Sequence, residues 1–380
     1  MDKIPFNRAA IVGNELQYIG EAILYGDISG DRAFTKKSER LLEQQLANNS
    51  RVLLTTSCTH ALEMAAILLN LEPGDEVIVP SYTFVSTALA FHMQGARIVF
   101  ADIRADTLNL DEKQLENLIT ERTRAIVVVH YAGVACEMDE ILSIAAQHNI
   151  VLVEDNAHGL YGKYKGRYLG TIGQLATQSF HGTKNITCGE GGALIVNEPD
   201  LIERAEIIRE KGTNRAKFFR GQVDKYSWVD KGSSYVMSDI LAAFLFGQLE
   251  KSEFIQAQRK KTWDFYRVEL SSWADINEVQ LPIIPDYCEQ TYHMFYLMMP
   301  NLEARSHFIE HCRKNSVTSV FHYLPLHSSV MGREIAPSQT PLNVSDDVSE
   351  RLVRLPLYPN LSCEEQEKIV RVSKQFCSHL

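Results

Sequence analysis

Five short apolar runs, each followed by a longer mixed segment, constrain the fold of this chain more than any other feature. They are Val52-Leu53-Leu54, Val77-Ile78-Val79, Ala96 to Ala101, Ala125 to His130 and Ile150 to Val153. Their length and β-branching read as buried strands, and the segments between them read as helices. Alternation of this kind from residue 50 to residue 200 implies an α/β fold with a mostly parallel sheet and right-handed crossovers. Sheets of that type keep their ligands beyond the carboxyl ends of the strands.

With 380 residues, 45% of them apolar, the chain can bury a large core, and the usual size of domains suggests two. The formal charge of -10 argues against general nucleic-acid binding and leaves only a local basic patch open. The cysteines are odd in number, spread out and without CxxC pairs, which suggests neither a disulfide framework nor a zinc site. The N-terminus lacks a signal-peptide core, and no run approaches the roughly 20 apolar residues needed to span a bilayer. A cytoplasmic protein is expected. No GxGxxG follows a first strand and no GxxxxGK[ST] occurs, so dinucleotide and nucleoside-triphosphate chemistry are disfavoured.

The stretch from Ile150 to Gly192 carries the most chemistry. Its first strand delivers Glu154 and Asp155, and a second, Thr177 to Phe180, leads into His181-Gly182-Thr183-Lys184 and the turn Gly189-Glu190-Gly191-Gly192. A lysine amine condenses with an aldehyde, and a carboxylate against a pyridine nitrogen keeps that ring protonated as an electron sink. Lys184 and Asp155 suit those roles; a solvated lysine and a helix cap are the plainer alternatives. Ser57 and Cys58 open a helix rich in small hydroxyl residues, which is either a phosphate site or an ordinary capped helix. Phe84 is either a stacking partner for a flat ring or a core residue. His130, at a strand end, reads as a satisfied core histidine ahead of a pocket residue.

Elsewhere, Asn14 to Leu24, Phe34 to Leu46 and Asp200 to Lys211 read as helices, Gly26 to Gly30 as a loop, and Ile240 to Lys260 as one long helix serving as a hinge. Ser328 to Ser345 reads as a mobile loop. Arg209, Lys211, Arg215, Lys217, Arg220 and Lys225 place six positive charges close together with aromatics between them. That stretch suits an anionic nucleotide or is a solvated loop.

Taken together these motifs resemble the DegT/DnrJ/EryC1/StrS family of sugar aminotransferases. The family's EDxAQ or EDxAH block reads here Glu154-Asp155-Asn156-Ala157-His158, and its SFxxxK block reads Ser179-Phe180-His181-Gly182-Thr183-Lys184, followed by an intact GEGG. The resemblance runs from Ile4-Pro5-Phe6-Asn7 to Leu355-Pro356-Leu357. It implies a fold-type I PLP-dependent transferase, with a large domain over residues 1–250 that includes the N-terminal segment and a smaller α+β domain over 251–380. It also implies pyridoxal 5'-phosphate (PLP) as cofactor, with Lys184 as the catalytic tether. Asp155, His158, Ser57, Cys58, Phe84 and Ser179 would surround the cofactor, Ser57 and Cys58 through main-chain donors. Ser234 stands where the family's GYNYRMSD has an asparagine that reaches the partner subunit's cofactor phosphate.

The segment Gly212 to Trp228 resembles that of transaminases acting on thymidine-diphosphate 4-keto-6-deoxy sugars, and Phe321 to His327 resembles the family's YxPLH substrate loop. Arg215, Arg220, Tyr323 and His327 are therefore the substrate-side candidates. The implied reaction moves an amino group from L-glutamate to C4 of a nucleotide-linked 4-keto-6-deoxy sugar, with a galacto product favoured, in a homodimer with shared active sites.

Overall fold

The computed structural model describes residues 3–26, 28–46, 49–336 and 341–377. Each of the five apolar runs is a strand: β1 (Arg51–Thr55), β2 (Glu76–Pro80), β3 (Arg97–Ala101), β4 (Thr123–Val129) and β5 (Val151–Asp155). A two-residue ribbon, β6 (Lys163–Tyr164) and β7 (Arg167–Tyr168), precedes β8 (Leu175–Ser179) and β9 (Gly192–Val196). The main sheet has seven strands in the order β1-β9-β8-β5-β4-β2-β3. Only β9 runs against its neighbours β8 and β1.

The exception has a simple cause. Parallel neighbours need a crossover, which helices supply elsewhere, whereas residues 180–191 join β8 to β9 by a loop alone, enough for an antiparallel partner. That loop carries Lys184. Its root at the end of β8 lies beside the end of β5, where Asp155 pairs in register with Thr177.

Helix Cys58–Leu68 starts directly after β1, with the Ser57 hydroxyl accepting from the His60 N–H at 3.1 Å. Its first turn lies against β9 so closely that only glycine fits at residue 192. A Cβ there would stand 2.4 Å from both the Cys58 nitrogen and the Ser57 carbonyl carbon.

His130 and Glu154 are fully buried and face each other at 2.9 Å. His130 also accepts from the Cys136 N–H through Nδ1, so it is a satisfied core histidine.

A second core follows. β10 (Cys288–Glu289) pairs with β6, while β11 (Phe295–Met298), β12 (Val320–Phe321) and β13 (Leu352–Leu355) form an antiparallel sheet with β13 in the centre. Trp263, Tyr266, Phe295, Phe308, Val353 and Ile369 pack there. Ile4 joins this core through a bridge to Val317, so the start of the chain reaches the C-terminal sheet.

Two expectations need correction. In place of one helix from Ile240 to Lys260 there are two, Asp239–Leu249 and Ser252–Ile276, parted at Glu250 and Lys251. The first packs on helices Glu15–Leu24 and Ala33–Leu46 of the large core, whereas Trp263 and Tyr266 of the second enter the C-terminal core. The axis is redirected by what each half buries, with neither Gly nor Pro at the break.

Ser328 to Ser345 is also more ordered than expected. Ser329 caps a short helix, Val330–Ile335, and Asp102 accepts from the N–H groups of Val344 and Ser345 at the start of helix Asn343–Arg351. Residues 337–340 of that stretch, and Asp27 of the Gly26 to Gly30 loop, lie outside the described residues. Among the described residues no helix is long and apolar enough to cross a membrane.

Gly192→Ala drives a methyl group into the backbone of the Ser57–Cys58 turn. A loss of about 1–3 kcal/mol is expected from such overpacking. Urea unfolding of the variant beside the wild type measures it.

Candidate active site

A cavity of about 490 Å³ lies at the carboxyl ends of β5 and β8. Asp155, His158, Ser179 and Lys184 line it from the sheet side, and Ser57 and Cys58 from the start of their helix. Phe84 is 57% exposed and also lines the cavity, so it is no core residue. Phe6 and Asn7 close part of the wall, and Asn7 holds the lysine loop by donating from Nδ2 to the Gly182 carbonyl at 2.8 Å.

The electrostatics follow from burial. Asp155 accepts from Thr87 Oγ1 at 2.7 Å and from the Ala157 N–H at 3.2 Å, and it has no ion pair among the described residues. Desolvation outweighs those donors and raises its carboxyl above the ordinary aspartate range. Desolvation likewise lowers the Lys184 amine to about 8, against the pull of Cys58 and Asp155. His158 stacks on His293 with centroids 4.3 Å apart, and burial keeps both well below the ordinary histidine value. Nδ1 of His158 is buried without a hydrogen-bond partner among the described residues. A reactive amine, an uncompensated carboxyl and an unsatisfied imidazole therefore share one space.

Of the remaining residues singled out from the sequence, Tyr323 lines this cavity, and its ring is 6.3 Å from that of Phe84. His327 lies outside the cavity lining, bonded through Nδ1 to the Ser81 hydroxyl at 2.7 Å and 3.4 Å from Asp346. Ser234 is exposed and bridges to Glu210, away from the cavity of its own chain.

Arg215 and Arg220 line a separate pocket of about 270 Å³ together with Asp31, Arg51, Glu206 and Arg209. Arg220 is 2.7 Å from Glu206, while Arg215 has no ion pair among the described residues and lies over the Phe219 ring.

Three cavity residues escaped the sequence reading: His293, His322 and Arg354. His293 is fixed by Asn185, whose Oδ1 accepts from its Nδ1–H at 2.8 Å, and His322 by the Tyr131 hydroxyl at 2.9 Å. His293 sits in no motif that flags it, and His322 lies within the Phe321 to His327 stretch without being singled out there. Arg354 left a signal, being the one charge in the otherwise apolar strand Leu352-Val353-Arg354-Leu355.

The family model described as the DegT/DnrJ/EryC1/StrS aminotransferase family matches residues 13–373. The chain belongs to that family. This aminotransferase is 30% identical to GDP-perosamine synthase of Escherichia coli O157:H7 over the whole of both chains. It is 34% identical to an uncharacterized protein of Methanocaldococcus jannaschii, covering 90% of each. Among solved structures, the putative sugar aminotransferase Spr1654 of Streptococcus pneumoniae superposes with a TM-score of 0.89 at 26% identity. The match covers 98% of this chain and 97% of that one in the PMP form, and the same protein has been solved in a PLP form.

The protein is a sugar aminotransferase of fold type I, and its cofactor is pyridoxal 5'-phosphate. The cavity suits that cofactor. The helix start at Ser57, which glycine at 192 allows to lie close to the sheet, suits an anion. The buried carboxyl of Asp155 and the unsatisfied Nδ1 of His158 lack partners that a hydroxylated pyridinium supplies.

Because the free amine is the reactive form and Lys184 is drawn to about 8, roughly a tenth of it is uncharged at pH 7, far more than for an ordinary lysine. In cofactor-free protein, the rate at which Lys184 captures PLP should rise from pH 6 and level off just above pH 8. Stopped-flow absorbance across that range checks this; a rise continuing to pH 10 contradicts the lowered value.

Proposed function

We propose that this aminotransferase moves an amino group from L-glutamate to C4 of a dTDP-4-keto-6-deoxyhexose and produces dTDP-4-amino-4,6-dideoxygalactose. The observation that carries the aminotransfer is the meeting of Lys184 and Asp155 in one enclosed cavity, each shifted toward its neutral form by burial. Bound PLP supplies an electron sink for the substrate carbon that carries the nitrogen. The chain's own groups do the rest.

Lys184 would hold the cofactor through its Nζ and, as a free amine, would carry a proton to and from that substrate carbon; an amine near 8 is well matched to both directions. Asp155 would face the ring nitrogen, whose positive charge would favour the anionic carboxylate. Ser57 and Cys58 would offer main-chain N–H groups to the phosphate, while Phe84, His158 and Ser179, which line the same cavity, would surround the ring. The Cys58 thiol takes no part, since burial pushes it up and away from the thiolate form. Ser234, exposed in its own chain, serves the phosphate of a partner subunit in a homodimer.

The sugar's nucleotide is read by the stretch around Arg215, whose guanidinium has no ion pair among the described residues, with Arg220 secondary because Glu206 already holds it. Tyr323 meets the sugar in the cavity, and His327 supports that loop through Ser81. A nucleotide-linked substrate is supported by the relative named GDP-perosamine synthase, and the thymidine nucleotide by the likeness of Gly212 to Trp228 to that branch. A cytoplasmic location belongs to the same reading.

The test uses purified holoenzyme with L-glutamate and dTDP-4-keto-6-deoxyglucose, and NMR of the product. A small H3–H4 coupling marks the axial amine of the galacto product, and a large one would give the gluco series instead. Turnover restricted to UDP- or GDP-linked sugar would overturn the thymidine assignment. Lys184→Ala should lower turnover by about a thousandfold or more.

A further inference from the structure

Lys184 stands on a loop, and a functional side chain on a loop is placed less precisely than one on a strand or helix unless its neighbours pin it. The next residue, Asn185, is buried and supplies such a pin. Its Nδ2 donates to the Thr291 carbonyl at 2.7 Å and to Oε1 of Gln256 at 3.1 Å. With both amide hydrogens engaged, Oδ1 is left to accept, so the proton between Asn185 and His293 belongs to Nδ1 of the histidine. Burial keeps that imidazole neutral, which leaves its Nε2 without a proton.

His158 is held in another way. Its carbonyl accepts from the Thr291 hydroxyl at 2.7 Å, which fixes the backbone and not the ring. Nδ1 of the ring has no hydrogen-bond partner among the described residues, and the ring stacks on His293 with the planes 17° apart. The rings of Tyr131 and His322 are farther off, at 5.9 and 6.2 Å between centroids. His293 is itself anchored, because the buried Arg259 donates to the carbonyls of Tyr292 and His293. One side chain, entering from the segment before β11, thus meets the lysine loop through its Nδ1–H and His158 through its face.

We propose that His293 is a positioning residue for the tether and the cofactor ring at once: its Nδ1–H fixes Asn185 beside Lys184, and its face fixes the ring of His158. The proposal rests on PLP being held at Lys184 and is independent of the sugar. Its two tasks fall to different parts of one imidazole, so substitution can separate them.

The experiment uses the full chain freed of cofactor. His293→Phe keeps a ring to stack and loses the N–H, while His293→Asn keeps an N–H in the place of Nδ1 and loses the ring. Stopped-flow absorbance at saturating PLP gives the rate of capture by Lys184. Calorimetry gives the affinity for pyridoxamine 5'-phosphate, which forms no bond to the lysine. His293→Phe should slow capture about tenfold, the scale of a buried acceptor left unpaired, and change the pyridoxamine phosphate affinity by less than about twofold. His293→Asn should weaken that affinity about fivefold, the scale of one stacked ring pair, and capture PLP at close to the wild-type rate. Asn185→Ala breaks the bond from its other end and should reproduce the slow capture.

Equal changes of both quantities in both His293 variants mark a merely structural role and overturn the proposal. An unchanged capture rate in His293→Phe and Asn185→Ala overturns it as well. Should His293→Phe not fold, Asn185→Ala decides the tether and His293→Asn the ring. A wild type that captures no PLP overturns the cofactor site and this proposal with it, whereas normal capture by the wild type and indistinguishable variants overturns this proposal alone.

Discussion

A carboxylate cut off from solvent is tolerable only when its lone pairs are occupied, and Glu154 meets that condition with three backbone N–H groups and an imidazole. Gly170, Ile172 and Gly173 donate to it at 2.7 Å, and His130 faces it at 2.9 Å. Burial works against its charge, but His130 and the loop donors hold it below the ordinary glutamate value. The same set of bonds ties the ends of β4 and β5 to the loop entering β8. The separation between Asp155 and the lysine loop is fixed by that tie, because β8 cannot shift along β5 without breaking it.

The next residue along has the opposite fate. Side chains alternate across a strand, so Asp155 leaves the sheet on the face opposite Glu154 and opens into the cavity. There it finds two donors where Glu154 finds four, and its carboxyl rises where that of Glu154 falls. Lys184 is displaced toward neutrality from the other side, and His158, His293 and His322 are all kept uncharged. Asp155, Lys184 and these three histidines are thus held away from their solvated states. A ligand carrying a protonated ring, a phosphate and a carboxylate relieves these costs together, and binding to the folded state alone raises stability by mass action.

Much of this was legible before the structure. The five apolar runs and the two acids behind the fifth specify a parallel sheet and its functional edge, because burial on both faces leaves a sequence signal that is local and continuous. The motif around Lys184 was legible for the same reason, since strand, loop and glycine turn are neighbours in the chain. The helix break at Glu250 and Lys251 was not. Its cause is that the two halves pack on different cores, and no residue at the break carries a local preference to announce it. The helix Val330–Ile335 left a clearer trace in Ser329, whose hydroxyl accepts from the Gly332 N–H as a cap should.

Counting charges in a window overstates the free charge in one place and passes over a cavity-lining cation in another, for a single physical reason. Six cations between Arg209 and Lys225 resemble a binding surface, yet Glu203, Glu206 and Glu210 are close at hand on or just after helix Pro199–Arg209. They reach Lys217 at 2.6 Å, Arg220 at 2.7 Å and Lys211 at 3.4 Å, while Asp31 takes Arg209 at 3.0 Å. Most of that charge is already spent within the chain, which leaves Arg215 as the stronger ligand candidate of the pair first selected. Arg354 makes the converse case. It is a solitary cation in a strand whose other three residues are buried and apolar, too sparse to register as a patch, and for that reason nothing nearby neutralises it. What decides whether a cation is available to a ligand is the absence of carboxylates within its reach, and in this chain that absence occurs where the cation stands alone among apolar neighbours.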